Sequence, residues 1–325
     1  MSTIEQPAFL RSVVYDGDAG ATYRAFVIHL ASYLRGGNED NKFNFWVGCG
    51  GNGKSLCYNL LASVLGGYAG EVAKELYTER KKHAGGAEPH IKELRGRRLG
   101  GTKETDEGDV FLSGVFKVLS GEDSITCRGM FEKRQTTFTP QFKPLLMTNH
   151  LPKFSSVDNG IDRRIRVYSF PYTFCENPTK PEERKIDYEL GKLTRSEAWR
   201  DQLLGLMVRV AFAGWSRDEV ETGYMRRLTA AYRGSLNPLA EWFEENLEPK
   251  AGGKIRVRDA YFDYRATGGG LPENKFGEWL KQLVEVKRFT GGSFALGFAF
   301  KPKPAPEVYP RDDTVWADEV DSDLE

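Results

Sequence analysis

Residues Val47 to Leu56 read VGCGGNGKSL, in which Gly48, Gly53, Lys54 and Ser55 satisfy G-x-x-x-x-G-K-[ST]. Each residue type at that spacing has a task. Glycines let backbone N–H groups turn inward around phosphate oxygens, and the N-terminus of a following helix adds a favourable dipole. Lys54 is placed to neutralise β- and γ-phosphates and Ser55 to ligate Mg2+. Gly48, Gly50, Gly51, Asn52, Gly53, Lys54 and Ser55 are therefore candidate nucleotide-binding residues, with ATP and Mg2+ as the implied cofactors. A hydrolase also needs an acid beside the metal to orient water. Glu104, ending RRLGGTKE, follows Lys54 in the right order and would share the metal with Ser55. Gly100-Gly101-Thr102 stand where an apolar run is expected before such an acid, and Asp106 and Glu107 read as solvated turn residues.

A phosphate loop must be held between a strand and a helix. KFNFWVG supplies a short apolar strand, and in SLCYNLLASVLGG the residues Leu56, Leu60, Leu61, Val64 and Leu65 recur at helical spacing up to a glycine stop. ATYRAFVIHLASYLRGG reads as an earlier helix, and GDVFLSGVFKVLSG as a later one. PLLMTNH and RRIRVYSFPY read as buried strands, and ITCRGMFEKRQTTFTPQFK alternates like a hairpin around Glu132-Lys133-Arg134. WRDQLLGLMVRVAFAGW and YMRRLTAAYRG complete a set of strands alternating with helices, which implies an α/β core with a mainly parallel sheet. Near Asn237-Pro238 the character changes to three short helices, NPLAEWFEENL, VRDAYFDYRATGGG and PENKFGEWLKQLVEV, then the alternating KRFTGGSFALGFAFK and the Pro-rich KPKPAPEVYP.

The 325 residues suit about two domains, and a hydrophobic content of 40% with 28% charged residues is ordinary for a globular chain. No apolar run approaches the roughly 20 residues that span a bilayer, and MSTIEQPAFL lacks the basic-then-apolar order of a signal peptide. Cys49, Cys57, Cys127 and Cys175 lack C-x-x-C pairing, which argues against zinc and fits a reducing intracellular compartment. The net charge of zero hides a segregation: residues 250–303 hold eleven Lys/Arg against five Asp/Glu, and residues 311–325 hold one Arg against seven acids. A basic module followed by an acidic tail suggests a polyanion-binding surface beside a solvated end.

The segments GCGGNGKSLCYNLLASVLGGYAG, ELRGRRLGGTKET, KVLSGEDSITCRGMFEKRQTTFTPQFKPLLMTNHLP and DNGIDRRIRVYSFPY occur in that order. Together they resemble the superfamily 3 helicases, specifically the helicase part of poxvirus- and phage/plasmid-type primase–helicases, over roughly residues 20–290. The resemblance implies a three-layer core of AAA+ type with a small C-terminal winged-helix-like domain. The implied boundaries are a short helical segment at 1–42, the ATPase core at 43–234, the winged-helix-like module at 235–303, and a Pro-rich linker and acidic tail at 304–325. Asn149 matches the family's sensor of the γ-phosphate. Arg163 and Arg164 match its paired arginines, one of which reaches the neighbouring subunit's nucleotide; the sequence leaves open which. With Lys54 and Glu104 they make up the implied catalytic set.

The same resemblance implies DNA as a partner, contacted by Lys117 and Arg128 at motif positions and by Lys133 and Arg134 at the hairpin tip. In the terminal module Lys275, Lys281, Lys287 and Arg288 are the candidate DNA contacts, while Trp242, Phe243, Tyr261, Phe276 and Trp279 read as its core. The implied activity is that of an ATP-dependent, ring-forming helicase, a hexamer, in viral, phage or plasmid replication, with possible initiation partners and no membrane. The alternative is a nucleic-acid-binding ATPase that oligomerises without unwinding. Only about forty residues precede the phosphate-loop strand, so priming activity is not expected to be carried over.

Overall fold

The computed structural model describes residues 6–79, 88–214, 217–237 and 239–302, which fall into two units, Met1–Asn237 and Pro238–Glu325. The tail expected over 304–325 lies outside the described residues. In the first unit the strands are β1 (Phe43–Val47), β2 (Ala69–Glu71), β3 (Leu99–Lys103), β4 (Val110–Phe111), β5 (Ile125–Cys127) and β6 (Thr136–Phe138), then β7 (Lys143–Thr148), β8 (Lys153–Phe154), β9 (Ile165–Ser169), β10 (Thr173–Cys175) and β11 (Glu183–Lys185). Five of them form one sheet in the order β2-β3-β7-β1-β9, with every neighbouring pair parallel.

The central strands read as nearly unbroken apolar runs because both faces of the sheet are covered. On β1 successive side chains part company. Phe43 stacks on Phe116, with ring centroids 4.7 Å apart, on one face, while Trp46 lies 5.3 Å from both Phe26 and Phe170 on the other. Helices Gln6–Ser12, Ala21–Ser32, Lys54–Leu65 and Glu197–Ala213 bury their apolar faces on the Trp46 side, and Ser113–Ser120 and Gly223–Ser235 do so on the Phe43 side. This is the three-layer α/β arrangement expected from the sequence. His29 belongs to the core: its Nε2 accepts from Trp46 Nε1 at 3.2 Å, and burial holds its pKa well below the ordinary imidazole value.

Gly100 and Gly101, which break the apolar pattern of β3, have a steric cause. A Cβ at Gly100 would stand 2.8 Å from the Phe142 ring, and one at Gly101 would stand 2.3 Å from Tyr58 Oη. Rings from both layers press on the strand, so a side chain has no room. The expected helix over residues 108–121 is shorter, because Val110–Phe111 pairs in parallel with β8 before the helix begins at Ser113.

In the second unit helix Ala240–Asn246 leads into β12 (Leu247–Arg256), then helices Val257–Ala266 and Glu273–Leu283, β13 (Val286–Phe289) and β14 (Gly292–Phe300). The sheet is antiparallel, in the order β12-β14-β13. Trp242 and Phe276 meet at 5.5 Å in its core, and Phe243, Tyr261 and Trp279 pack around them. β12 escaped the sequence reading, since LEPKAGGKIR is polar, glycine-containing and mostly exposed.

Candidate nucleotide site and basic surfaces

The phosphate loop leaves the C-terminal end of β1 and closes on helix Lys54–Leu65. Gly53 caps that helix with φ +80, a left-handed conformation that costs glycine little, and a Cβ there would also meet Val13 Cγ1 at 2.7 Å. Gly50 and Gly51 share positive φ values of 94 and 57. A Cβ at Gly48 would stand 2.1 Å from the amide of the buried Asn52, so Asn52 shapes the loop from beneath.

Three adjacent strands deliver the remaining groups, because β7 lies between β3 and β1. Lys54 Nζ donates to Gly48 O at 2.6 Å and to Asn149 Oδ1, just beyond β7, at 3.1 Å. Glu104 follows β3 with φ +56, its backbone N–H bonded to Met147 O at 2.9 Å, and its side chain is exposed on the cavity wall. The turn behind them is fixed by Thr105 Oγ1 and Thr148 Oγ1, which are 2.7 Å apart, and by Thr148 Oγ1 donating to His150 O at 2.6 Å. Burial lowers the Lys54 pKa to about 8, and the nearby Cys49 and Glu104 pull it back upward.

These residues open into one cavity of about 620 Å3, lined from Gly50 to Leu56 and by Lys103, Glu104, Thr105, Asp106, Thr148 and Asn149. The cavity fits a triphosphate: a glycine loop with positive φ at Gly50, Gly51 and Gly53, a buried lysine, and Ser55 and Glu104 both among the lining residues. One hydroxyl and one carboxylate suffice for Mg2+, which keeps its other positions for phosphate and water. The far wall was missed from sequence. Phe9, Phe174, Ile186, Tyr188 and Leu190 give it an apolar, half-aromatic lining, and Phe174 N donates to Gly51 O at 2.8 Å, tying this wall to the phosphate loop. They come from short, separate elements, the helix Gln6–Ser12, β10 and the stretch that follows β11, too short for their periodicity to carry a signal.

Arg163 and Arg164 lie elsewhere. They precede the N-terminal end of β9, whereas the phosphate loop follows the C-terminal end of the parallel neighbour β1. Five residues at about 3.3 Å rise separate these ends by roughly 16 Å. Arg163 is exposed; Arg164 is buried and donates through Nη1 to Gly160 O at 2.9 Å. Nearby, the buried Arg166 pairs with Asp40 at 2.7 Å and Glu221 at 2.6 Å.

The hairpin exists, as β5 and β6 in antiparallel register with Thr126 opposite Thr137. Its projecting residues are Met130 and Phe131, 63% and 97% exposed, ahead of Glu132-Lys133-Arg134. Glu132 N closes the turn on Gly129 O at 3.3 Å, and the Glu132 carboxylate is paired with Lys92. Lys133 and Arg134 are exposed, Arg128 is half-buried, and Lys117 is bonded to Asp158 at 2.5 Å. In the second unit Lys275, Lys281, Lys287 and Arg288 are all exposed, with Lys275 on Glu278 at 2.8 Å and Lys287 on Glu285 at 2.9 Å.

No family model matches the chain. Among curated proteins, 022R of Frog virus 3, a helicase by name alone, is 28% identical over 270 residues, covering 79% of this chain and 27% of its own length. The similarly named 121R of Invertebrate iridescent virus 3 is 33% identical over 198 residues, covering 57% of this chain and 21% of its own. The chain thus spans about a quarter of these relatives. In fold it is similar to the apo structure of the NrS-1 C-terminal region, with a TM-score of 0.51 at 11% identity over 92% of this chain and 76% of that one. No helix among the described residues is long and apolar enough to cross a membrane. The chain is a homologue of proteins named as helicases in large DNA viruses, in keeping with the superfamily 3 resemblance of its ordered motifs.

Proposed function

We propose that the chain is the ATP-hydrolysing part of a ring-forming DNA helicase of viral replication, with ATP bound between copies. The observation that carries this reading is the separation of Lys54, Glu104 and Asn149 from Arg163 by the length of the sheet. Within one copy Arg163 does not reach the cavity, so it completes a site only in a neighbour. Lys54 holds the β- and γ-phosphates, Glu104 orients the attacking water, and Asn149 senses the γ-phosphate across its bond to Lys54. Mg2+, when bound, screens the charge of the β/γ-oxygens. Of the two arginines Arg163 suits the finger, since Arg164 is spent on Gly160 O. Such a finger is worth about 10³–10⁵ in turnover.

Exposed cations at the hairpin and in the second unit would contact phosphates without reading sequence. The helix–strand–helix–helix–strand–strand order of that unit supports a winged-helix reading. The glycines that break the apolar run before Glu104 are accounted for by the packing of Tyr58 and Phe142, so they do not count against an acid at that position.

Strand displacement on a tailed duplex tests the proposal. Wild type should open it with ATP and Lys54→Ala should not; equal opening by both rejects the reading. DNA-stimulated hydrolysis without opening supports the alternative. Mixing Lys54→Ala with Arg163→Ala should restore part of the turnover, because some interfaces then carry both intact groups.

A further inference from the structure

The sequence marks Lys117 as a nucleic-acid contact, but its surroundings point elsewhere. Lys117, on helix Ser113–Ser120, donates through Nζ to Asp158 Oδ2 at 2.5 Å. Asp158 is the N-cap of the single helical turn Asn159–Asp162, its Oδ1 accepting from Ile161 N at 3.0 Å. Arg163 is the residue that ends this turn. The lysine stem also lies against the turn, because a Cβ at Gly160 would stand 3.1 Å from Lys117 Cε. From the other side Arg164 grips Gly160 O, and its Nη2 approaches a Cβ position at Gly121, where the lysine's helix ends, to 3.8 Å. The bond from Lys117 holds the Asp158 carboxyl below its ordinary pKa.

We propose that Lys117 is a positioning residue for Arg163, acting through the Asp158 cap. The ammonium fixes the carboxylate, the carboxylate fixes the turn, and the turn sets the direction in which Arg163 leaves the surface. Four residues separate the end of helix Ser113–Ser120 from β5, the first strand of the hairpin. This rests on the reading of Arg163 as the finger.

The test measures ATP turnover without DNA and single-strand DNA affinity in parallel. Lys117→Met should lower kcat about tenfold with the KM for ATP and the DNA affinity unchanged, and Lys117→Arg should restore it. Asp158→Asn keeps a capping oxygen but loses the charge pair, and should fall like Lys117→Met; it carries the test if the latter fails to fold. Weakened DNA affinity with kcat intact, or no change at all, overturns the proposal. Arg163→Ala separates the two levels. If it abolishes turnover while Lys117→Met and Asp158→Asn leave it whole, only the positioning role falls. If Arg163→Ala leaves turnover whole, the finger and the positioning role fall together.

Discussion

Lys54 Nζ and Asn149 Oδ1 stand 3.1 Å apart, joining the loop after β1 to the end of its neighbour β7. With a nucleotide bound as proposed, a change at the γ-phosphate would be felt on two strands at once. Lys54→Ala should abolish hydrolysis. Asn149→Ala should lower kcat by about 10²-fold, the order found for removing one preorganised polar group at a transition state. KM should change little. Phosphate-release kinetics on both variants check this.

The lowered Lys54 pKa predicts a pH dependence. With its pKa near 8, the ammonium that meets phosphate is present below pH 8 and lost above it. Affinity for ATP should fall by up to about tenfold per pH unit above 8, with proton uptake on binding there. For folding the sign is opposite: the unfolded chain keeps this proton up to the ordinary value of 10.5, so the group's contribution to stability rises with pH between about 8 and 10.5. Titration with a fluorescent ATP analogue from pH 7 to 9.5 reads the first effect, and Lys54→Met should flatten it.

Gly101→Ala should destabilise by about 1–3 kcal/mol through overpacking against Tyr58. Combined with Tyr58→Ala, which opens the space, the loss should be less than the sum of the two single changes. Urea unfolding of the four proteins gives the coupling.

Arg166 is a buried cation shared by Asp40 and Glu221, with Lys42 3.7 Å from the same Glu221 carboxylate. Arg166→Met should cost about 3 kcal/mol, because it removes the Asp40 pairing and leaves the partly buried Glu221 with Lys42 alone. Thermal melts should show the loss, and it should shrink at low pH as Glu221, which burial pushes up but Arg166 holds below its ordinary pKa, takes up its proton.

At the hairpin tip Phe131 is 97% exposed with φ +60, so it contributes almost nothing to the core. Phe131→Ala should leave the unfolding midpoint unchanged and weaken single-strand binding by about 1–3 kcal/mol, the worth of one stacked base. The double variant Lys133→Ala, Arg134→Ala should lower the salt slope of binding by about 1.4. An unchanged slope would exclude both cations from the contact.

The central strands were legible because burial on both faces writes a continuous apolar run, as in FNFWV and PLLMT. β12 was not, since its exposed polar residues look like a loop until β14 pairs with it. The hairpin could be read, but the chain turns at Met130–Phe131, ahead of Glu132-Lys133-Arg134, because the backbone bond from Glu132 N to Gly129 O closes it there.

By itself the sequence determined the glycine loop between β1 and the helix that opens at Lys54, for that segment is contiguous and its conformation follows from the spacing of its own glycines. It also determined the α/β class, through the alternation of two periodicities. Only the tertiary structure decided which residues share a space. Strand order brings Asn149 to Lys54 across 95 positions and sends Arg163 to the other end of the sheet. It also assembles the apolar wall from Phe9 and the Phe174–Leu190 stretch, and commits Lys117 to Asp158. Chain spacing says nothing of these meetings, because they depend on which strands lie side by side and on which end of each strand the residue stands.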